Sequence, residues 1–337
     1  MERPVLNNKR INGGNIMIKF TTFLAAALFA SAAHAADSYP SKPIRVLVPF
    51  APGGVVDTSA RILTNKIIED KGWQFVVDNR PGANGFLATG TTARANADGY
   101  TLLAAHTGEM SVNPVLFKSM PYDVERDFTP IIMVSDAPML VVVNAASPFN
   151  SMKDLVAGMK AKPGQLTFGS PGTGSVNHMA TEWLVNAAAA KALHVPYKGG
   201  APAVSAVAGN EVVFTVAGLP GVLPHLMAKR VKVLGVTTAK RSPQVPDYMS
   251  AQEAGIPGVD ASIWVGLFAP KGTPKEVISK LYQASAEVLK NPDIKKRYAT
   301  VGGAETTTMG TEEFNKRIRS ELERYRKVAA QVGIQQQ

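Results

Sequence analysis

The sequence predicts an α/β protein of two domains, each a mostly parallel sheet flanked by helices. Three observations carry that reading. Apolar runs of strand length alternate with stretches whose apolar residues recur at helical spacing. After two strands in succession, Ile131 to Val134 and Leu140 to Val143, the alternation starts afresh. Glycine-bearing turns also lead from strand to helix in both halves, at 49–57 and at 169–175.

Residues 1–35 stand apart from this pattern. Met17-Ile18-Lys19 opens a basic segment, Phe20 to Ala33 is a short apolar run, and Ala33-His34-Ala35 has the small-x-small form of a cleavage site. A signal peptide over Met17–Ala35 is expected, cleaved before Ala36. The remaining chain of about 300 residues is long enough for two domains. The expected division is 36–141 for the first part of domain 1, 142–264 for domain 2 and 265–337 for the return to domain 1.

In order, Ile44 to Val48 reads as a buried strand. Thr58 to Lys71 reads as a helix, with Ala60, Leu63 and Ile67 on one face and Gly72 as its stop. Between them, Gly53 and Gly54 leave backbone open at a helix N-terminus. The first N–H groups of a helix have no internal partner, and the dipole adds positive charge there, so a carboxylate fits. Trp73 to Val77 and Tyr100 to Ala105 are the next strands, each running into a turn, at 78–85 and at 106–109. Phe86 to Ala95 is the helix between them. Strands joined by helices run parallel, so all three turns lie on one sheet edge, where such folds place ligands.

In the second half, helix Met152 to Ala161 and strand Leu166 to Phe168 lead to Gly169-Ser170-Pro171-Gly172-Thr173-Gly174-Ser175. Ser175 suits the N-cap of a helix whose Met179, Trp183 and Ala187 share a face. Strand Leu193 onward, helix Ala203 to Ala208, strand Val212 to Val216, helix Pro220 to Ala228 and strand Val231 to Val236 follow. Ile263 to Ala269 is an apolar strand returning to the first domain. Thr273-Pro274-Lys275-Glu276 reads as a capping box opening a helix to Asn291, and a last helix spans about Thr311 to Gln331, with the final glutamines frayed.

Composition excludes several functions. The chain has no cysteine, so it has no disulfide, no thiol nucleophile and no lipid-bearing cysteine after the leader. The net charge of +10 is scattered and densest around Lys316 to Lys327, read as a solvated helix face; no clustered basic surface points to nucleic acid. His106 and His225 lack metal spacing and His34 falls in the leader, so no metal is expected. Neither G-x-S-x-G nor H-E-x-x-H occurs, and Gly174 is followed by serine rather than the Lys-Ser/Thr of a phosphate loop.

Across 39–335 the sequence resembles the Bug family of periplasmic solute-binding proteins, receptors of tripartite tricarboxylate transporters. The resemblance rests on Tyr39-Pro40-Ser41-Lys42-Pro43-Ile44, the Pro49 to Asp57 turn, Asn79-Arg80-Pro81-Gly82-Ala83 and Asp98-Gly99-Tyr100-Thr101-Leu102-Leu103. It continues through Asn113-Pro114, Pro121-Tyr122-Asp123, His194-Val195-Pro196-Tyr197-Lys198-Gly199, Ala239-Lys240-Arg241-Ser242-Pro243 and Ala269-Pro270-Lys271-Gly272-Thr273-Pro274. It implies a type II-like periplasmic binding protein, its domains joined by two crossing strands, for which Leu140 to Asn144 and Val265 to Ala269 are the candidates. It further implies a monomer in the periplasm that needs no cofactor, takes a small carboxylate between its domains, partly through bridging waters, and hands it to membrane permease subunits.

Carried over by position, the ligand-binding residues are Phe50, Pro52, Gly53, Gly54 and Asp57 in the first turn, and Thr107 and Gly108 after the third strand. Ser170, Gly172, Gly174, Ser175 and His178 belong to the second turn, and Tyr197 and Lys198 to the rim. Asp57 has two readings, ligand contact and helix N-cap, with capping favoured. His178 reads equally as a pocket donor or a structural hydrogen bond, Lys198 as a steering or merely solvated lysine, and Trp183 and Trp264 as packing. Ser175 and the glycines are read as functional. Ala217-Gly218 stand where many relatives have Asp-Asn, which implies a ligand without an amino group. Glu109, an acid beside an anion site, is expected to turn outward.

Overall fold

The computed structural model describes residue 1, residues 39–334 and residue 336. The signal peptide and cleavage site lie outside the described residues. Residues 42–337 form one compact unit, described here.

Strand β1 (Ile44–Val48) buries Ile44, Val46, Leu47 and Val48. Helix α1 (Val55–Lys71) begins three residues before the expected Thr58, because Gly54 in extended conformation serves as its N-cap. Val56, Ala60, Leu63 and Ile67 form its buried face, and Gly72 ends it at φ +67 with its N–H donating to Ile68 O. Each large apolar side chain buried this way contributes about 1.5–3 kcal/mol. Strand β2 (Phe75–Asn79) sits two residues later than expected, since Asp78 and Asn79 pair with Leu47 and Val48 of β1. A tight turn at Ala83–Gly85 leads into α2 (Phe86–Ala93), and β3 (Thr101–His106) ends in a wide single turn, Gly108–Val112. Short helices α3 (Asn113–Leu116) and α4 (Val124–Asp127) follow.

Strand β4 (Phe128–Pro138) is eleven residues long, far beyond the expected Ile131 to Val134. Only Met139 separates it from β5 (Leu140–Asn144), which lies in a different sheet. The second series comprises α5 (Met152–Ala161), β6 (Thr167–Ser170), α6 (Val176–Ala187), β7 (Leu193–Pro196), α7 (Gly200–Ala208), β8 (Phe214–Ala217), α8 (Leu219–Met227) and β9 (Val231–Val236). Strand β10 (Ser262–Pro270) then returns to the first sheet, as expected, followed by α9 (Lys275–Lys290), α10 (Pro292–Arg297), β11 (Glu305–Thr306) and α11 (Thr311–Val332).

The six-stranded sheet runs β11-β4-β10-β3-β1-β2 and the five-stranded sheet β7-β6-β8-β5-β9. Both are mixed. The parallel pairs lie on one side of each, β2-β1-β3 and β7-β6-β8, where helices cross over. Beyond them β10 runs antiparallel to β3 and β4, and β5 antiparallel to β8 and β9. The reason is that β5 and β10 arrive from the other lobe rather than through a helical crossover. Leu140–Asn144 and Val265–Ala269, the candidate crossing strands, therefore each lie inside one sheet. The chain changes sheet at Met139 and at Ala261, and Thr237 ties the two points together. Its N–H donates to Met139 O (3.0 Å), and its buried hydroxyl donates to Ala261 O (2.7 Å).

Three expectations for the C-terminal region change. Pro274, not Thr273, is the cap of α9, and the Thr273 hydroxyl donates to Pro270 O instead. The basic face of α11 is solvated at Lys316, Arg326 and Lys327 but paired at its other three basic residues. Arg317 meets Glu321 and Asp136, Arg319 meets Glu125, and Arg324 meets Asp260. Glu321 also accepts from Trp264 Nε1 (2.7 Å), and burial pushes its carboxyl above the usual range against the pull of Arg317. Phe314 and Ile318 of α11 pack with the first-lobe core, whereas Tyr325, Val328 and Ala329 pack with Met179 and Trp183 of α6. Gln336, expected to fray, donates to Val115 O (3.0 Å).

Candidate functional site

The first turn is held from within. Asp57 is the third residue of α1, not its cap, and is buried. Its Oδ2 accepts from Gly53 N (3.0 Å), and its Oδ1 accepts from Arg61 Nε and Asn79 Nδ2 (both 2.9 Å). Asn79 also donates to Phe50 O (3.0 Å), which pins the turn to β2. The capping expectation for Asp57 thus fails in position, because α1 starts earlier. The carboxylate still serves a backbone amide, reaching back as the acidic member of a capping box does. Gly53, at φ +85 with open space around its missing Cβ, spends its N–H on this bond. The amides of Gly54, Val55 and Val56, which precede or open the helix, have no intrahelical acceptor and remain the donors an anion can use. Pro52 is exposed and Phe50 half-buried at the same turn.

After β3, the side chains of Thr107 and Glu109 are committed to protein partners. The fully buried Thr107 hydroxyl accepts from Trp264 N (3.2 Å) and thereby ties β3 to β10. Gly108 N donates to His106 Nδ1 (2.9 Å), and the His106 ring lies 4.8 Å from that of Phe50. Glu109 does not turn outward. It is fully buried, its Oε2 accepts from His106 N (2.9 Å) and lies 2.8 Å from His106 Nδ1, and its Oε1 has no partner. The wide turn at Gly108–Val112 rotates it inward beneath Pro49 and Gly85.

The second turn closes differently. Ser175 caps α6 as expected, its Oγ accepting from His178 N (3.2 Å). Gly174 N donates to His178 Nδ1 (3.2 Å), so His178 serves the turn structurally. Ser170 is buried; its hydroxyl accepts from Gly172 N (3.2 Å) and lies 2.7 Å from His194 Nε2. His194 stacks on His178 at 4.0 Å and on Phe168 at 5.0 Å. Burial first, and then the charge of His178, lowers its pKa to about 4, so it is neutral at neutral pH. Tyr197 packs its ring against Gly169 and holds the strand edge through Tyr197 N to Ser170 O (2.8 Å), while Lys198 is exposed.

Besides the packing of α11 on α6, contacts at the turns bring the lobes together. Asn84 Nδ2 donates to Thr173 O (3.0 Å), joining the turn after β2 to the second glycine-rich turn. On the other side Gly218 lies against Val55, so that any side chain at 218 would collide with the start of α1. The second turn therefore meets the first lobe through Asn84 and, at Gly174, through Leu116 and Phe117. Asn79, Asn84, His106 and His194 were not singled out as site residues from sequence. The one local signal was at Ala83-Asn84, between Gly82 and Gly85, where φ is +46 and +49. A short polar residue that tolerates that conformation stands there. Among the described residues, no cluster of His, Cys, Asp or Glu could hold a metal ion, and no helix is long and apolar enough to cross a membrane.

Residues 59–334 match the family model described as tripartite tricarboxylate transporter family receptor. The chain is 34% identical to Protein BugT of Bordetella pertussis, over 92% of this chain and 95% of that one. Among solved structures it is similar to R. palustris Rpa4515 with adipate (33% identity, TM-score 0.85, 89% of this chain and 100% of that one). It is also similar to MatC from Rhodopseudomonas palustris with bound malate (29% identity, TM-score 0.79, 86% of this chain and 99% of that one).

Proposed function

Because the chain belongs to the tripartite tricarboxylate transporter receptor family, a family of solute-binding receptors and not of enzymes, we propose that it captures a small carboxylate between its two lobes and delivers it to membrane permease subunits. The observation that carries this reading is the exposed turn at Gly53-Gly54, whose following amides have no acceptor of their own while Asp57 holds it rigid. The glycine-rich turn at 170–175 supplies the facing wall, and Asn84 and Val55 are among the points where the lobes meet. Phe50, Pro52, Gly53 and Gly54 line the first side. Gly172, Gly174 and Ser175 line the second, and Tyr197 and Lys198 stand at the rim. Asp57, Thr107, Gly108, Ser170 and His178 act by holding these walls in place, since their polar atoms are already bonded to protein.

The solved relatives carry adipate and malate, both dicarboxylates, and the same class suits this cleft. No free acidic side chain stands at Ala217-Gly218 to receive an ammonium, so amino acids should bind poorly. The protein works as a monomer in the periplasm, released there by removal of residues up to Ala35. The lobes divide at Met139 and Ala261 and hinge about Thr237. Adipate, malate, succinate, aspartate and glutamate in a thermal-shift and calorimetric series test the reading. A dicarboxylate should raise Tm without being turned over, since a ligand of the native state alone stabilises it. Gly53→Val, which places a side chain over the turn's open face, should weaken that ligand at least tenfold. Absence of any carboxylate response, or unchanged affinity in Gly53→Val, would refute it.

A further inference from the structure

Val55 belongs to two walls at once. Its backbone opens α1, where its N–H has no intrahelical acceptor. Its half-buried side chain packs against the core cluster that holds Val176, Met179 and Val216 of the second lobe. Against that side chain lies Gly218, buried at the end of β8 and the N-cap of α8. A Cβ at 218 would overlap Val55 Cγ2. Carbon atoms in contact lie about 3.5–4.0 Å apart, so a single methyl group there requires Val55 to withdraw by about 1 Å or more. Rotating the valine instead is costly, because a β-branched side chain in a helix keeps one strongly preferred χ1 rotamer.

The interlock is reciprocal. Leu219, next to Gly218, reaches the first lobe, where a Cβ on Gly303 would stand 2.5 Å from Leu219 Cβ. A second-lobe glycine thus receives a first-lobe valine, and a first-lobe glycine receives a second-lobe leucine. The seat is also fixed to the second glycine-rich turn. Asn177, two residues after the Ser175 cap of α6, donates through Nδ2 to Val216 O (2.8 Å), two residues before Gly218. The depth at which Val55 sits on Gly218 therefore sets how far the amides of the first turn stand from the turn at 170–175.

We propose that Val55 and Gly218 are positioning residues: the valine seated on the glycine fixes how closely the lobes approach, so that the residue at 218 sets ligand affinity without touching the ligand. The consequence for affinity rests on the function proposed above; the seating of one lobe in the other does not. Hydrogen bonds from N–H to oxygen span about 2.7–3.2 Å, so walls propped about 1 Å apart cannot both keep their donors on one small carboxylate. Ligand then enters as before and leaves sooner, because it comes and goes through the open form.

Gly218 suits the test because its φ of −74 and ψ of 151 are open to any residue, so Gly218→Ala adds a methyl group without backbone strain. Binding of adipate and malate should weaken about tenfold or more in Gly218→Ala, through a faster off-rate at an unchanged on-rate. Adding Val55→Ala should bring affinity back to within about threefold of wild type. If the new methyl group merely struck the ligand, removing the valine side chain would restore nothing, and that result would overturn the proposal. Without ligand, residual dipolar couplings report the relative orientation of the two lobes. They should give the arrangement described here for the wild type, a wider one for Gly218→Ala, and recovery in the double variant. An orientation or an affinity unchanged by Gly218→Ala would also overturn it. The couplings need no ligand, so failure of both dicarboxylates to bind the wild type would refute the proposed function while the seat is decided separately.

Discussion

In the first lobe a carboxylate one turn into the helix, Asp57, folds back onto the Gly53 amide; in the second a hydroxyl at the cap itself, Ser175, takes the amide of His178. Both turns are glycine-rich and both open a helix, yet they keep different groups free. Asp57 is anchored by Arg61 and Asn79, so the first turn is braced from β2 and from its own helix. The second is braced by aromatic stacking, His178 on His194 on Phe168, with few charges involved. A turn that must meet an anion through its backbone thus gains rigidity from a charge pointed away from the ligand, or from rings beneath it.

This contrast can be broken most severely at Asp57. Asp57→Ala removes the acceptor of three hydrogen bonds at a buried position and should cost about 3 kcal/mol in urea unfolding. A loss below about 1 kcal/mol would mean that water replaces the brace. Gly85→Ala comes next. At φ +87, with Glu109 and Pro49 in the way, it should lose about 2 kcal/mol, whereas Gly53→Ala in open space should pay only its backbone term of about 1 kcal/mol. Equal losses would show that crowding over Glu109 is relieved at no cost. Ser175→Ala deletes a single cap bond and should cost about 1 kcal/mol.

A pH effect singles out the second turn. His194 has a folded pKa of about 4 against an ordinary 6.5, so between those values the unfolded chain binds more protons than the folded one. Stability should therefore be full above about pH 6.5 and fall as the pH drops toward 4. His194→Gln should flatten that part of a Tm-against-pH curve. An unchanged slope would move the acid sensitivity elsewhere.

Much of this architecture is legible along the chain because it depends on neighbours in sequence. The bounds of α5, of β1 and of β9 follow from periodicity, and the Ser175 cap follows from its place before an apolar face. The start of α1 departs from the expected Thr58 because Gly54 competes as a cap through its backbone alone, and no side chain marks it. Local pattern marks only four residues of β4 because its remaining length is justified by β10 and β11, more than a hundred residues later. Glu109 illustrates the same limit most sharply. Its burial depends on the wide turn after β3 and on a glycine 24 positions earlier, |i−j| being as unreadable from local pattern as the 157 residues between Thr107 and Trp264.

By itself, then, the sequence determined the two α/β series, the glycine-bearing turns at their helix starts and the family, since strand and helix periods, caps and ordered motifs are carried by adjacent residues. The tertiary structure alone decided which amides remain free at those turns, which acids are buried, and where the chain passes between sheets. Each of those outcomes depends on a hydrogen-bond partner or packing neighbour supplied by a distant segment, and a polar group's state is settled by whatever partner folding brings to it.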